Sequence, residues 1–137
     1  MDMPEEKFYI TAAIDYPNAL PHIGTAYEKI GADVVARYKA LCGADTFFVM
    51  GTDEHSANVE KAAEEKRMSP QEFTDEVAPK FVEAWESLGI KYTSFVRSSS
   101  ERHARSVQDV FQKIYEKGDI YEGFYEGWYC NSCERFF

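Results

Sequence analysis

Apolar and polar positions along the chain change period from segment to segment, and the changes mark the elements. Phe8 to Ile14 is an apolar run rich in β-formers that closes on the turn-forming cluster Asp15-Tyr16-Pro17-Asn18, which predicts a buried strand. Ile23, Tyr27, Ile30, Val34, Tyr38 and Leu41 then recur at steps of three and four, predicting a helix with one apolar face that stops at Gly43. Thr46 to Met50 reads as a second strand. Strand, helix and strand in this order form a βαβ unit, whose strands pair in parallel through a right-handed crossover.

Beyond Asp53, Ala57 to Lys66 has helical character. Ser69-Pro70-Gln71-Glu72 supplies an N-cap, a first-turn proline and a capping-box acid for a further helix, whose apolar face runs through Phe73, Val77, Phe81, Trp85 and Leu88 to Gly89. Pro79 falls inside that pattern and removes a backbone donor, which predicts a kink or two short helices. Tyr92 to Val96 predicts a strand, and Ser98 with Glu101 a capping box opening a helix through Val107, Phe111 and Ile114 to Gly118. From Asp119 to Phe137 aromatics and glycines interleave before Cys-Asn-Ser-Cys, a β-rich segment of different character. The fold class is α/β.

The 137 residues, 45% hydrophobic and 15% aromatic, are enough for one buried core. A formal net charge of −9 is opposite in sign to the footprint of a surface made for phosphate backbones, so any grip on RNA is expected to come mainly from elsewhere. No stretch has the length and apolarity of a membrane span, and the acidic start MDMPEEKFYI lacks the pattern of a signal peptide. A cytoplasmic protein is the expectation. Three cysteines, Cys42, Cys130 and Cys133, argue against a disulfide framework and fit reduced thiols, with Cys42 expected as a small buried side chain.

Candidate chemistry starts where the first strand hands over to the first helix, at Pro21-His22-Ile23-Gly24-Thr25. A helix N-terminus carries unpaired N–H groups and a positive dipole end, and in an open parallel sheet ligands lie at the carboxyl ends of the strands. His22 can donate to a phosphate oxygen, and Gly24, with no Cβ, lets a base or ribose come close; the same two residues also serve as an ordinary structural turn. Asp53, after the second strand, should emerge at the same edge, where a carboxylate suits a substrate ammonium or caps the next helix. Glu54 and His55 point in different directions and read as supporting residues, and His103, between Arg102 and Arg105, as part of a solvated face.

The segments Ala13-Ile14-Asp15-Tyr16-Pro17-Asn18 and His22-Ile23-Gly24-Thr25-Ala26 resemble the HIGH-motif region of class I aminoacyl-tRNA synthetases. Ala32-Asp33-Val34-Val35-Ala36-Arg37-Tyr38, Gly51-Thr52-Asp53-Glu54-His55, Gly118-Asp119-Ile120-Tyr121 and Gly127-Trp128-Tyr129-Cys130-Asn131-Ser132-Cys133-Glu134-Arg135-Phe136 are similar to the methionyl branch in particular, so the resemblance covers essentially the whole chain. It implies the N-terminal half of a Rossmann-like parallel-sheet catalytic domain over residues 1–117, then the start of a β-rich zinc-binding connective insert over 118–137. It implies ATP with Mg2+ as substrate, activation of methionine to methionyl-adenylate, and transfer to tRNA through parts mostly outside this chain.

The resemblance assigns catalysis to His22 and Thr25, ATP binding to Asn18, His22, Gly24 and Thr25, and methionine binding to Ile14, Tyr16 and Asp53. Thr25 stands where the motif usually has a second histidine; it can donate one hydrogen bond but carries no charge. Lys66-Arg67-Met68-Ser69 is a decoy for the second class I signature, because Ser69 is explained as an N-cap, and the lysine loop is expected to be missing. Cys130 and Cys133 suit two corners of a tetrahedral zinc, with a second pair expected beyond Phe137, while a redox dithiol would lack the helix start that lowers a thiol pKa. The chain stops soon after Cys133, which suggests a piece of a longer protein. Two other readings stay open: a nucleotidyltransferase with a His-x-Gly-His loop, and a catalytically inert ATP-binding piece.

Overall fold

A computed structural model describes residues 6–130, 133 and 135–137. The acidic start, residues 1–5, and Asn131, Ser132 and Glu134 of the cysteine segment lie outside the described residues. The order is β1 (Lys7–Thr11), α1 (Ile23–Leu41), β2 (Asp45–Thr52), α2 (Ala57–Glu65), α3 (Pro70–Ser87), β3 (Ser94–Arg97), α4 (Glu101–Glu116), β4 (Tyr129–Cys130) and β5 (Arg135–Phe136).

β1, β2 and β3 form a parallel sheet with β2 in the middle, and β4 pairs with β5 in a separate antiparallel pair. Phe48 and Met50 of the central strand pack with Ala26 and Ala36 of α1, Val59 and Ala63 of α2, and Phe73, Val77, Phe81 and Trp85 of α3. Gly51 marks the closest approach in the sheet, since a Cβ there would sit 2.0 Å from the Val96 carbonyl oxygen. Only glycine lets β2 and β3 meet at that point. Among the described residues no helix is long and apolar enough to cross a membrane.

The predicted elements form, with several corrections: β1 stops at Thr11 and is an edge strand with Tyr9 exposed rather than a buried one, and the described part of 119–137, expected to be β-rich, holds only the two-residue strands β4 and β5. The apolar stripe of α1 is not its inner face: Ile23 is 84% exposed and Leu41 87%, and Tyr27, Ile30, Val34 and Tyr38 are exposed too. The helix seats instead through Ala26, Lys29, Asp33 and Ala36. Small side chains let it approach, and the polar ones are satisfied: Asp33 accepts from Arg37 Nε at 2.7 Å and from the Lys91 N–H at 2.8 Å, while Arg37 also donates to the Gly89 carbonyl. Pro79 does not divide α3, which runs as one helix with Val77, Ala78 and Phe81 buried around it; that packing offsets the missing donor. Leu88 is the exposed C-cap of α3 rather than part of its buried face.

The Ser69–Glu72 capping box forms as predicted, with Ser69 N–H donating to Glu72 Oε2 at 2.9 Å. The cap of α4 is Ser100, which accepts from the His103 N–H, whereas Ser98 Oγ accepts from the Glu54 N–H at 2.7 Å. Cys42 is exposed as the C-cap of α1, so the buried-thiol expectation fails.

Candidate nucleotide and amino-acid site

His22 is the N-cap of α1 in extended conformation, and its imidazole Nδ1 accepts from the Gly24 N–H at 3.1 Å. With Nδ1 accepting, the neutral ring carries its proton on Nε2, leaving that nitrogen as a donor. Thr25 completes the cap: its Oγ1 donates to the His22 carbonyl at 2.9 Å and lies 3.4 Å from the His22 N–H. Gly24 has a second reason to be glycine, because a Cβ there would meet His22 Cε1 at 2.9 Å. The ring folds over its own helix start.

A cavity of about 290 Å³ opens beside this cap, with Ile14, Tyr16, Asn18, His22 and Thr25 in its wall together with Asp15, Phe81 and residues 19–21. Five residues predicted from sequence as ligands thus converge on one place, with Gly24 under the imidazole. Asp53 is not part of that lining, but its N–H donates to the Asp15 carbonyl at 2.9 Å, which fixes it against the same segment. Its carboxylate accepts from the His55 N–H at 3.3 Å, and the cap of α2 is Ser56, which accepts from the Val59 N–H. The capping role left open for Asp53 is therefore filled by another residue.

Two buried polar clusters brace this edge: one around Lys29, which the sequence does not single out, and one around Glu54, which it marks as a supporting residue. Lys29, fully buried, donates to the Ala13 carbonyl at 2.7 Å and to Asp15 Oδ1 at 3.1 Å. Burial pushes the Asp15 carboxyl above its ordinary value, against the opposing pull of Lys29. Glu54, buried directly after Asp53, accepts from Thr52 Oγ1 at 2.8 Å, from Arg97 Nε at 2.8 Å and Nη2 at 3.0 Å, and from Ser99 Oγ. Burial alone would raise its carboxyl, but those bonds outweigh it and hold the group below the usual value. Arg97 also reaches Asp75 of α3 at 2.6 Å, so the carboxyl ends of β2 and β3 are locked to each other and to α3. The signal for Lys29 was a charge amid a helix's apolar positions, and for Glu54 an acid adjacent to the proposed ligand.

Cys130 and Cys133 lie apart from the cavity, in the β4–β5 segment, half-buried and exposed respectively. Among the described residues no three His, Cys, Asp or Glu side chains gather into a metal-holding group. His103 is half-buried near the start of α4.

A histidine-capped helix at the carboxyl edge of a parallel sheet, beside a cavity, defines a Rossmann-like α/β domain of the kind that receives anionic ligands at that edge. Residues 8–137 match the family model described as tRNA synthetases class I (M). The chain is 47% identical over 134 residues to methionine–tRNA ligase of Clostridium tetani, covering 98% of this chain and 21% of that protein. It is 50% identical over 130 residues to methionine–tRNA ligase of Thermotoga maritima, covering 95% and 21%. The solved structure of Mycobacterium tuberculosis methionyl-tRNA synthetase in complex with methionyl-adenylate has a TM-score of 0.89 and 36% identity, over 97% of this chain and 26% of that one. The chain belongs to the methionine-type class I tRNA synthetase family. It spans about a fifth of the length of the curated relatives it matches.

Proposed function

We propose that these residues form the ATP- and methionine-binding half of the catalytic domain of a cytoplasmic methionine–tRNA ligase, which activates methionine to methionyl-adenylate and transfers it to tRNA. The observation that carries this reading is the convergence of Ile14, Tyr16, Asn18, His22 and Thr25 on one cavity at the start of α1. In the proposed roles, His22 Nε2 donates to the triphosphate, brought in with Mg2+, and Asn18 and Thr25 flank it, while Gly24 keeps the helix start open. Ile14 and Tyr16 wall the amino acid and the Asp53 carboxylate takes its ammonium. The protein's contribution is positioning and neutralisation of charge rather than covalent chemistry.

Cys130 and Cys133 are proposed as zinc ligands. Two thiolates at this spacing suit zinc, and the other two ligands of a structural site must come from outside the described residues. The tRNA is proposed to be held mainly by other parts of the enzyme, in keeping with the acidic balance of this chain.

A second reading, that the 137 residues alone bind ATP without turnover, is favoured by the placement of Lys66 over the Phe73 ring and of Ser69 as the cap of α3. That stretch is thereby occupied in structure and supplies no phosphate clamp. The test is methionine-dependent exchange of pyrophosphate into ATP, run with calorimetric ATP binding. Exchange abolished by His22→Ala and Asp53→Ala supports the full reading. ATP binding weakened by His22→Ala without exchange supports the second. Exchange driven by pantetheine phosphate instead of methionine sinks both.

A further inference from the structure

Lys29 holds more of the site than its position on a helix would suggest. Its ammonium meets the Ala13 carbonyl at 2.7 Å and both Asp15 carboxylate oxygens at 3.1 Å. Its neighbour Glu28 lies 3.5 Å from the ammonium and accepts from the Ala13 N–H at 2.6 Å, so both backbone polar groups of Ala13 are taken by α1 side chains. Asp15 is held from the opposite side by the sheet: its N–H donates to the Gly51 carbonyl at 3.3 Å, and its carbonyl accepts from the Asp53 N–H. Residues 13–15 are therefore clasped between α1 and the end of β2.

A methionine could fill the space of Lys29 without the cost of desolvating an ammonium. What the charge adds is geometry, because it fixes the residues on either side of Ile14 and, through Asp15, the backbone of Asp53. We propose that Lys29 is a positioning residue for the methionine side of the site: it sets the Ile14–Tyr16 wall and Asp53 in one fixed relation. The inference rests on the reading of that wall given above.

Amide hydrogen exchange on the 137-residue chain tests the geometry without any ligand. In Lys29→Met the amides of Ala13, Asp15 and Asp53 are expected to exchange about tenfold faster, the scale of losing a charged hydrogen bond, while Thr93, bonded to Phe48 across the sheet, keeps its rate. The sulfamoyl analogue of methionyl-adenylate should lose about tenfold in affinity and ATP at most about threefold. The double variant Lys29→Met with Asp15→Asn removes both charges; it is expected to melt near the original temperature and still show fast exchange at Ala13. Unchanged exchange at the three amides in either folded variant overturns the proposal, as does an equal loss for ATP and the analogue. If the unaltered chain binds neither ligand, the functional reading falls, and the exchange rates still decide the role of Lys29.

Discussion

The start of α1 and the β4–β5 segment both present groups suited to a ligand, but they are built in opposite ways. At α1 the backbone around the candidate side chains is braced: His22 is fixed by Gly24 and Thr25, Asp15 by Lys29 and Gly51, Asp53 by Asp15, and the strand ends by Glu54 and Arg97. The cysteine segment has two two-residue strands, edge-on contacts of Phe136 with Tyr125 and Tyr129, and a bond from the Phe137 N–H to the Trp128 carbonyl. On the proposed roles, the difference teaches that a site for orienting substrate is pre-organised by its own chain. A metal site can instead draw its order from the metal.

The largest effect expected from breaking the braced side is that of Arg97→Met, which strands the buried Glu54 carboxylate. A loss of about 3 kcal/mol in unfolding free energy by urea titration is predicted, the low end for breaking a buried pair because Arg97 is partly exposed. Acid should reach the same brace. A carboxyl held below its ordinary 4.5 contributes stability that is complete above that pH and is lost as pH falls through the lower folded value. Melting temperature should therefore fall on acidification below about 4.5, and Glu54→Gln should flatten that part of the profile.

Gly24→Ala displaces the His22 ring while favouring helix, so ATP affinity by calorimetry is expected to drop about tenfold with little change in melting temperature. The smallest effect belongs to the other region. Cys130→Ser with Cys133→Ser should change the stability of the zinc-free chain by at most about 0.5 kcal/mol, and a larger change would place the cysteines in a pre-built frame after all.

Much of this was legible in the chain. Ser69 and Glu72 announced the start of α3, Gly43 and Gly89 the ends of α1 and α3, and the strand-to-helix handover pointed to His22, while Ile14, Tyr16, Asn18 and Thr25 beside it were marked by the family resemblance. The seating of α1 was not legible, because counting apolar residues selects Ile23, Tyr27 and Val34, whereas the helix docks through Ala26 and the satisfied charges of Lys29 and Asp33. Burial followed polar pairing rather than hydropathy there. The sequence pattern placed the cap of α4 at Ser98, but tertiary contact with the Glu54 N–H claims that hydroxyl and Ser100 caps the helix instead. Pro79 kept a continuous helix because its neighbours are packed, a fact that no local rule contains.

Gly51 carries a consequence for anyone scanning this chain by saturation mutagenesis. Two residues before Asp53, it would tolerate almost nothing, since any side chain runs into the Val96 carbonyl. On its proposed role as the ammonium ligand, Asp53 would look equally intolerant in a growth-based screen, for a chemical reason rather than a steric one. Scoring abundance alongside activity would separate them: variants at Gly51 should vanish from the folded pool, while those at Asp53 should accumulate as well-folded, idle protein.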